Sequence, residues 1–138
     1  MADSRKSPAD TPPECPCGIT RPYLACCGRF HQGPERGRAP DAESLMRSRY
    51  SAFVLGRADY LLETWHPDTR PDRLESAWPN PKWLGLRIRA ARSIDADHAE
   101  VEFVARSRVG GRGHRLHERS RFVREAGRWY YVDGDLLG

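Results

Sequence analysis

Residues 101–133 read VEFVARSRVGGRGHRLHERSRFVREAGRWYYVD. Side chains here change character at every second position, the period of a strand with one covered face. Val101, Phe103 and Ala105 alternate with Glu102, Val104 and Arg106. Gly110, Gly111 and Gly113 interrupt the run and mark a hairpin tip. Beyond the tip, His114, Leu116, Glu118, Ser120 and Phe122 fall on one face, and Arg115, His117, Arg119 and Arg121 on the other. Gly127 turns the chain into a last strand, Arg128 to Asp133. Before this meander, Leu84, Leu86 and Ile88 alternate with Gly85, Arg87 and Arg89 and predict one more strand.

Upstream the period is helical. Asp41 is a predicted N-cap for a helix through Ser44, Leu45, Met46, Tyr50 and Phe53. Leu45, Met46, Arg49, Ala52 and Phe53 share its apolar face, Tyr50 sits on the margin, and Gly56 offers a stop. A second helix over 57–65 presents Leu61, Leu62 and Trp65, and Pro67 ends it. Residues 72–78 predict a further turn or two. Helices followed by an antiparallel meander make an α+β domain. A curved sheet wrapped around those helices encloses a cone-shaped interior.

All four cysteines lie between positions 15 and 27, as Cys15-Pro16-Cys17-Gly18 and Cys26-Cys27-Gly28. Thiolates are soft ligands suited to tetrahedral Zn²⁺, and two close pairs joined by a short loop are a usual way to build such a site. The segment is too poor in apolar residues to fold without help. Disulfides or redox chemistry, and plain free thiols, are the competing readings. Four thiolates would leave zinc no open position, so the expected metal is structural. The expected organisation is a disordered stretch 1–13, a knuckle 14–32, a linker 33–40 and an α+β cone domain 41–138 that folds without the knuckle.

The chain has 138 residues, a net charge of +4 and a hydrophobic fraction of 38%. No run approaches a membrane span, and the first dozen residues hold no apolar core of an export signal, so the cytoplasm is the expected location. Apart from Lys6 and Lys82 every lysine-or-arginine cation is arginine, which matches codon usage in a GC-rich genome as well as anion recognition. These arginines are scattered among acids with no basic block, which gives no indication of nucleic-acid binding.

The spacing in CPCGITRPYLACCG resembles the SEC-C motif, whose usual form is close to CPCGSGKKYKKCCG. The resemblance implies zinc held by Cys15, Cys17, Cys26 and Cys27. In the tail of the protein-export ATPase SecA the same motif also contacts a chaperone. Ile19, Thr20, Pro22, Leu24 and Ala25 replace most of the motif's basic residues here, with Arg21 the only cation between the pairs. PDAESLMRSRYSAFVLGRADYLLETWHP, the WLGL segment, EVEFVARSR and LHERSRFVREAGRWYYVDG together resemble the YchJ family of small bacterial proteins. That resemblance implies a domain similar to nuclear transport factor 2 and ketosteroid isomerase, a superfamily of isomerases, dehydratases and binding modules that names no single reaction.

If the cone holds a pocket, its expected lining is Tyr50, Trp65, Trp83, Glu118, Ser120 and Tyr131, against a plain reading of these aromatics as core. Glu118 faces inward and needs a partner; Arg49 is the candidate for a structural ion pair. Glu118 and His66 are the candidate general bases, and His31 a hydrogen-bond donor behind the thiolates or a substitute ligand. His114 and His117 are expected in solvent. The leading reading is a non-enzymatic module, with the knuckle meeting a protein partner and the cone a peptide or small ligand. An isomerase or hydrolyase acting through Glu118 or His66 is the alternative. RNA or ribosome contact through surface arginines ranks below both, and dimerisation rests on fold analogy alone.

Overall fold

In the computed structural model, which describes residues 14–72, 74 and 81–138, the alternating segments form one antiparallel sheet in the order β1-β2-β3-β4. The strands are β1 Lys82–Asp95, β2 His98–Val109, β3 Arg112–Glu125 and β4 Arg128–Leu136. Three helices precede them: α1 Gly28–His31, α2 Ala42–Leu55 and α3 Ala58–Glu63. The architecture is α+β, with α2 packed on β1, β2 and β4. Its core joins Leu45, Met46 and Tyr50 of α2 to Val101, Phe103 and Phe122 of the sheet.

Helix α2 starts and stops where its caps dictate. The Asp41 carboxylate accepts from the Ser44 backbone N–H at 2.7 Å, and Gly56 closes the helix in the left-handed region at φ 73°. Helix α3 ends earlier than its apolar spacing suggests. The Thr64 hydroxyl donates back to the Tyr60 carbonyl at 2.8 Å, and β4 claims the backbone beyond it. Tyr131 N–H donates to Thr64 O, and His66 N–H to Tyr131 O, at 2.9 and 2.8 Å. Trp65 therefore belongs to a short parallel bridge with Tyr131 rather than to a helix.

The sheet departs from simple alternation at four register shifts, two of which place Leu84 and Val132. A register shift between Trp83 and Gly85 turns Leu84 outward, 46% exposed, while Trp83, Leu86 and Ile88 pack against the core. A second shift, between Arg121 and Phe122, admits Val132 as an extra residue in β4. β4 runs past Asp133 because Asp135 and Leu136 still find partners in Arg119 and Glu118. The turn expected over 72–78 and the N-terminal stretch 1–13 lie largely or wholly outside the described residues.

The two margins of the α2 face are exchanged. Tyr50 is buried against Trp83, whereas Phe53 is 42% exposed. Ser48 and Ser51, which an apolar-face reading leaves in solvent, are fully buried: the Ser51 hydroxyl meets the Cys15 sulfur of the N-terminal segment, and the Ser48 hydroxyl meets that of Tyr60 in α3 at 2.7 Å. The segment expected as a linker is tied down as well. Arg36 bridges Glu63 and Asp59 at 2.7 and 3.2 Å, and Ala39 joins the core beside Phe30. Arg36, Ala39 and the Cys15–Ser51 contact thus tie the knuckle and the segment after it to α2, α3 and the core.

Candidate metal centre

Proline and glycine shape the loop that carries the cysteines. Gly18 turns at φ 97°, outside the range most side chains adopt, and Pro22 leads into a single 3₁₀ turn, Tyr23–Ala25. Cys27 then opens α1. The result brings four sulfurs from two ends of the loop to one point. Cys15, Cys17, Cys26 and Cys27 are all buried, their sulfur atoms lie within 4.8 Å of one another, and the Cys17 and Cys26 sulfurs are 3.7 Å apart. This cluster could hold a metal ion.

The electrostatics of the cluster favour a cation. Burial, then the charges of Cys17 and Cys15, push the Cys26 thiol up to about 11. Hydrogen bonds to Cys15 and Cys17 raise Cys27 further, while hydrogen bonds from Cys17 and Cys27 lower Cys15. Crowded thiols thus share few negative charges among themselves. A divalent cation would reverse that order and let all four ionise.

Helix α2 positions the loop from beneath. The Ser51 hydroxyl lies 3.4 Å from the Cys15 sulfur, and Arg47 Nη1 donates to the Cys17 carbonyl at 2.8 Å. His31 supplies the third link. Its Nε2 lies 2.8 Å from the Ser48 carbonyl, which can only accept, so Nε2 carries the proton. Nδ1 is then left to accept from the Tyr23 hydroxyl at 2.5 Å. With both nitrogens engaged and its ring 4.5 Å from that of Tyr60, His31 holds the knuckle to the domain and is not a fifth ligand. Arg47, Ser48, Ser51 and Tyr23 carried no signal in the sequence beyond lying in a helix or loop.

The expected Arg49–Glu118 ion pair is not formed. Arg49 is buried, donates from Nη1 to the Leu61 carbonyl and the Thr64 hydroxyl at 2.8 Å each, and sets its guanidinium over the rings of Tyr131 and Trp65 at 4.6 and 5.3 Å. Burial pushes its pKa down to about 10. Glu118 instead accepts from the Ser120 hydroxyl at 2.6 Å and the Tyr131 hydroxyl at 3.2 Å. The uncharged donors suffice because the carboxylate is only half-buried.

Residues expected to line one pocket divide into two groups on opposite edges of the sheet. Tyr50 and Trp83 meet edge-on at 5.7 Å beside β1. Trp65 and Tyr131 meet at 5.1 Å beside β4, next to Glu118 and Ser120. Gly134 permits the second group, since a Cβ there would collide with the Glu118 carboxylate. Gly134→Ala is expected to displace Glu118 and destabilise the fold by about 1–3 kcal/mol, measured by denaturant unfolding. An unchanged midpoint would show that the carboxylate has room elsewhere.

His66 is buried with both ring nitrogens occupied. Nδ1 accepts from the Asp68 N–H at 3.1 Å, and Nε2 faces the Glu125 carboxylate at 3.0 Å. It borders a cavity of about 340 Å³ that also includes His98, Arg121 and Asp133. His114 is exposed, but His117 is not free in solvent: its Nε2 bonds Glu102 at 2.6 Å across the β2–β3 ladder.

The family model described as "YchJ, middle NTF2-like domain" matches residues 41–134. A UPF0225 protein of Bordetella parapertussis is 63% identical over 131 residues, covering 95% of this chain and 98% of its own. One from Polaromonas naphthalenivorans is 61% identical over 133 residues, covering 88% of this chain and 96% of its own. Among solved structures, a SEC-C motif containing protein from Rhodopseudomonas palustris superposes with a TM-score of 0.78 at 37% identity, covering 91% of this chain and 100% of that one. Another from Psychrobacter arcticus gives 0.73 at 32%, covering 91% and 83%. The cysteine-bearing knuckle, the helices and the meander therefore have solved counterparts as one arrangement, and the chain belongs to the YchJ family.

Proposed function

We propose that the cysteine cluster holds one structural Zn²⁺ and that the protein is a non-enzymatic binding module of the cytoplasm, docking a partner protein beside the knuckle. A tetrahedral zinc tetrathiolate with Zn–S bonds of about 2.3 Å has sulfur–sulfur edges of about 3.8 Å. The 3.7 Å between Cys17 and Cys26 fits that edge, and burial of all four sulfurs fits a closed site.

The observation that carries the docking surface is a concavity of about 540 Å³ where the knuckle meets the end of α2. Pro16 and Tyr23 line it from the knuckle, and Leu55 and Arg57 from the domain. Leu55 is 47% exposed on its lip, and Leu24, beside Tyr23, is 67% exposed. Apolar side chains held out by a rigid metal-tied loop are suited to a partner's apolar anchor. The isomerase or hydrolyase reading gains no comparable support, since both His66 nitrogens and the Glu118 carboxylate are already engaged.

The test is a Leu24→Asp, Leu55→Asp double variant. Partner proteins captured and cross-linked by the wild type should be lost, while metal content and melting temperature stay unchanged. Capture at the wild-type level by both this variant and metal-depleted protein would overturn the reading.

A further inference from the structure

The arginines that look scattered along the chain are segregated in space. At one end of the sheet three arginines have acids: Arg92 meets Glu100 at 2.7 Å, Arg124 meets Asp97 at 3.2 Å, and Arg121 meets Asp133 and Asp135 at 2.6 and 2.8 Å. Towards the β2–β3 tip the balance disappears. Arg87 and Arg89 of β1, Arg106 of β2, and Arg115 and Arg119 of β3 form no ion pair with a described Asp or Glu side chain, and Arg115 reaches only the Gly138 oxygen, at 3.5 Å. The helices cover the other face of the sheet, so this one is open.

Strand register explains the clustering. Arg106 stands directly opposite Arg115, and Arg87 opposite Val104, which in turn faces His117. Four of the arginines, Arg87, Arg89, Arg106 and Arg115, surround a concavity of about 270 Å³ floored by Gly85, Leu86 and Val104. Val104 is only 4% exposed although it lies on the outer face, as expected if arginine stems fold over it and leave their heads in water. Glu102 is the acid of this neighbourhood, and His117 already occupies it at 2.6 Å. The His117 hydrogen bond and the fields of His117, Arg119 and Arg89 hold its carboxyl below the usual carboxylate range.

We propose that this face of the sheet, centred on Arg87, Arg89, Arg106 and Arg115, binds the phosphodiester backbone of a nucleic acid. Like charges gathered without acids repel one another, and a polyanion relieves that repulsion while releasing its own counterions. Arginine forks bond phosphate oxygens in pairs. Among the described residues the lining holds no aromatic ring for base stacking, which favours the backbone of a duplex over unpaired bases. An acidic protein is the poorer fit, because the floor offers only Leu86 and Val104 and no deep apolar pocket for an anchoring side chain. The face is built on β1, β2 and β3 and needs no metal.

The experiment is fluorescence anisotropy with labelled duplex RNA and duplex DNA of 20 base pairs, from 50 to 200 mM KCl, with a 20-residue poly-glutamate as the competing anion (lengths and salt of about the scale over which counterion release is resolved). With four phosphate contacts, log affinity should fall against log salt with a slope of about −3 to −4. The triple variant Arg87→Gln, Arg106→Gln, Arg115→Gln should bind at least about tenfold more weakly and with a slope nearer zero by about 2–3. Arg92→Gln, Arg121→Gln should bind like the wild type, and circular dichroism should show both variants folded. Relative affinity for the two duplexes identifies which nucleic acid the face prefers. No binding at the lowest salt, a flat salt response in the wild type, or tighter binding of poly-glutamate than of either duplex would each overturn the proposal.

Discussion

Cys26→Ser, Cys27→Ser is expected to reduce bound metal from one ion per chain to none and to release the N-terminal segment from α2. The reason lies in composition. Apart from its cysteines the knuckle contributes little grease, and Ile19 and Tyr23 are the apolar residues packed on the sulfurs. Structural zinc contributes about 10–16 kcal/mol of apparent binding free energy in small finger peptides. That exceeds the roughly 2–5 kcal/mol lost in an ordinary large-to-small core substitution. Ser51 would then face water and the Ser48 carbonyl would lose its donor, because Cys15 and His31 no longer cover them. Elemental analysis of protein purified without chelator reads the metal, and hydrogen exchange reads the protection of α2. A variant that lacks metal yet keeps wild-type protection of Ser48 and Ser51 would show that packing alone holds the knuckle.

His31→Ala is expected to separate fastening from ligation. His31 is fully buried between the Tyr23 hydroxyl and the Ser48 carbonyl, with Tyr60 against its ring. Removing it deletes two buried hydrogen bonds and leaves a cavity, at a cost of about 2–4 kcal/mol. The four sulfurs are untouched, so metal stoichiometry should stay at the wild-type value while the unfolding midpoint drops. Loss of metal together with stability would instead make His31 part of the coordination. Burial lowers the His31 pKa below its ordinary value, so the folded form holds the ring neutral. Below the unfolded value of about 6.5 the unfolded chain takes up the proton first. Stability from this group is therefore complete above that pH and declines as pH falls towards the folded value. His31→Ala should lack that part of the acid dependence.

Much of the scaffold was legible because it is local. Two glycine turns and a period of two specify the meander, and Asp41 and Gly56 delimit α2 through bonds to their own neighbours. Four cysteines in a thirteen-residue window, from 15 to 27, announce a shared centre by their spacing alone. Boundaries failed where a distant strand intervened. Trp65 reads as the last turn of α3, but Tyr131 takes its backbone. Leu84 reads as an inward residue, but a bulge in β1 turns it out.

The candidate sites divide along the same line. From the order of residues alone came the α+β class, the paired cysteines and the inward-facing Glu118. Only the folded chain decided that Glu118 would bond Ser120 and Tyr131 instead of Arg49, that His31 would join knuckle to helix, and that evenly scattered arginines would gather at one end of a sheet. A backbone period depends on neighbours a few residues away. The company a polar side chain keeps depends on which remote surface arrives beside it, and strand register and the seating of the knuckle determine that surface.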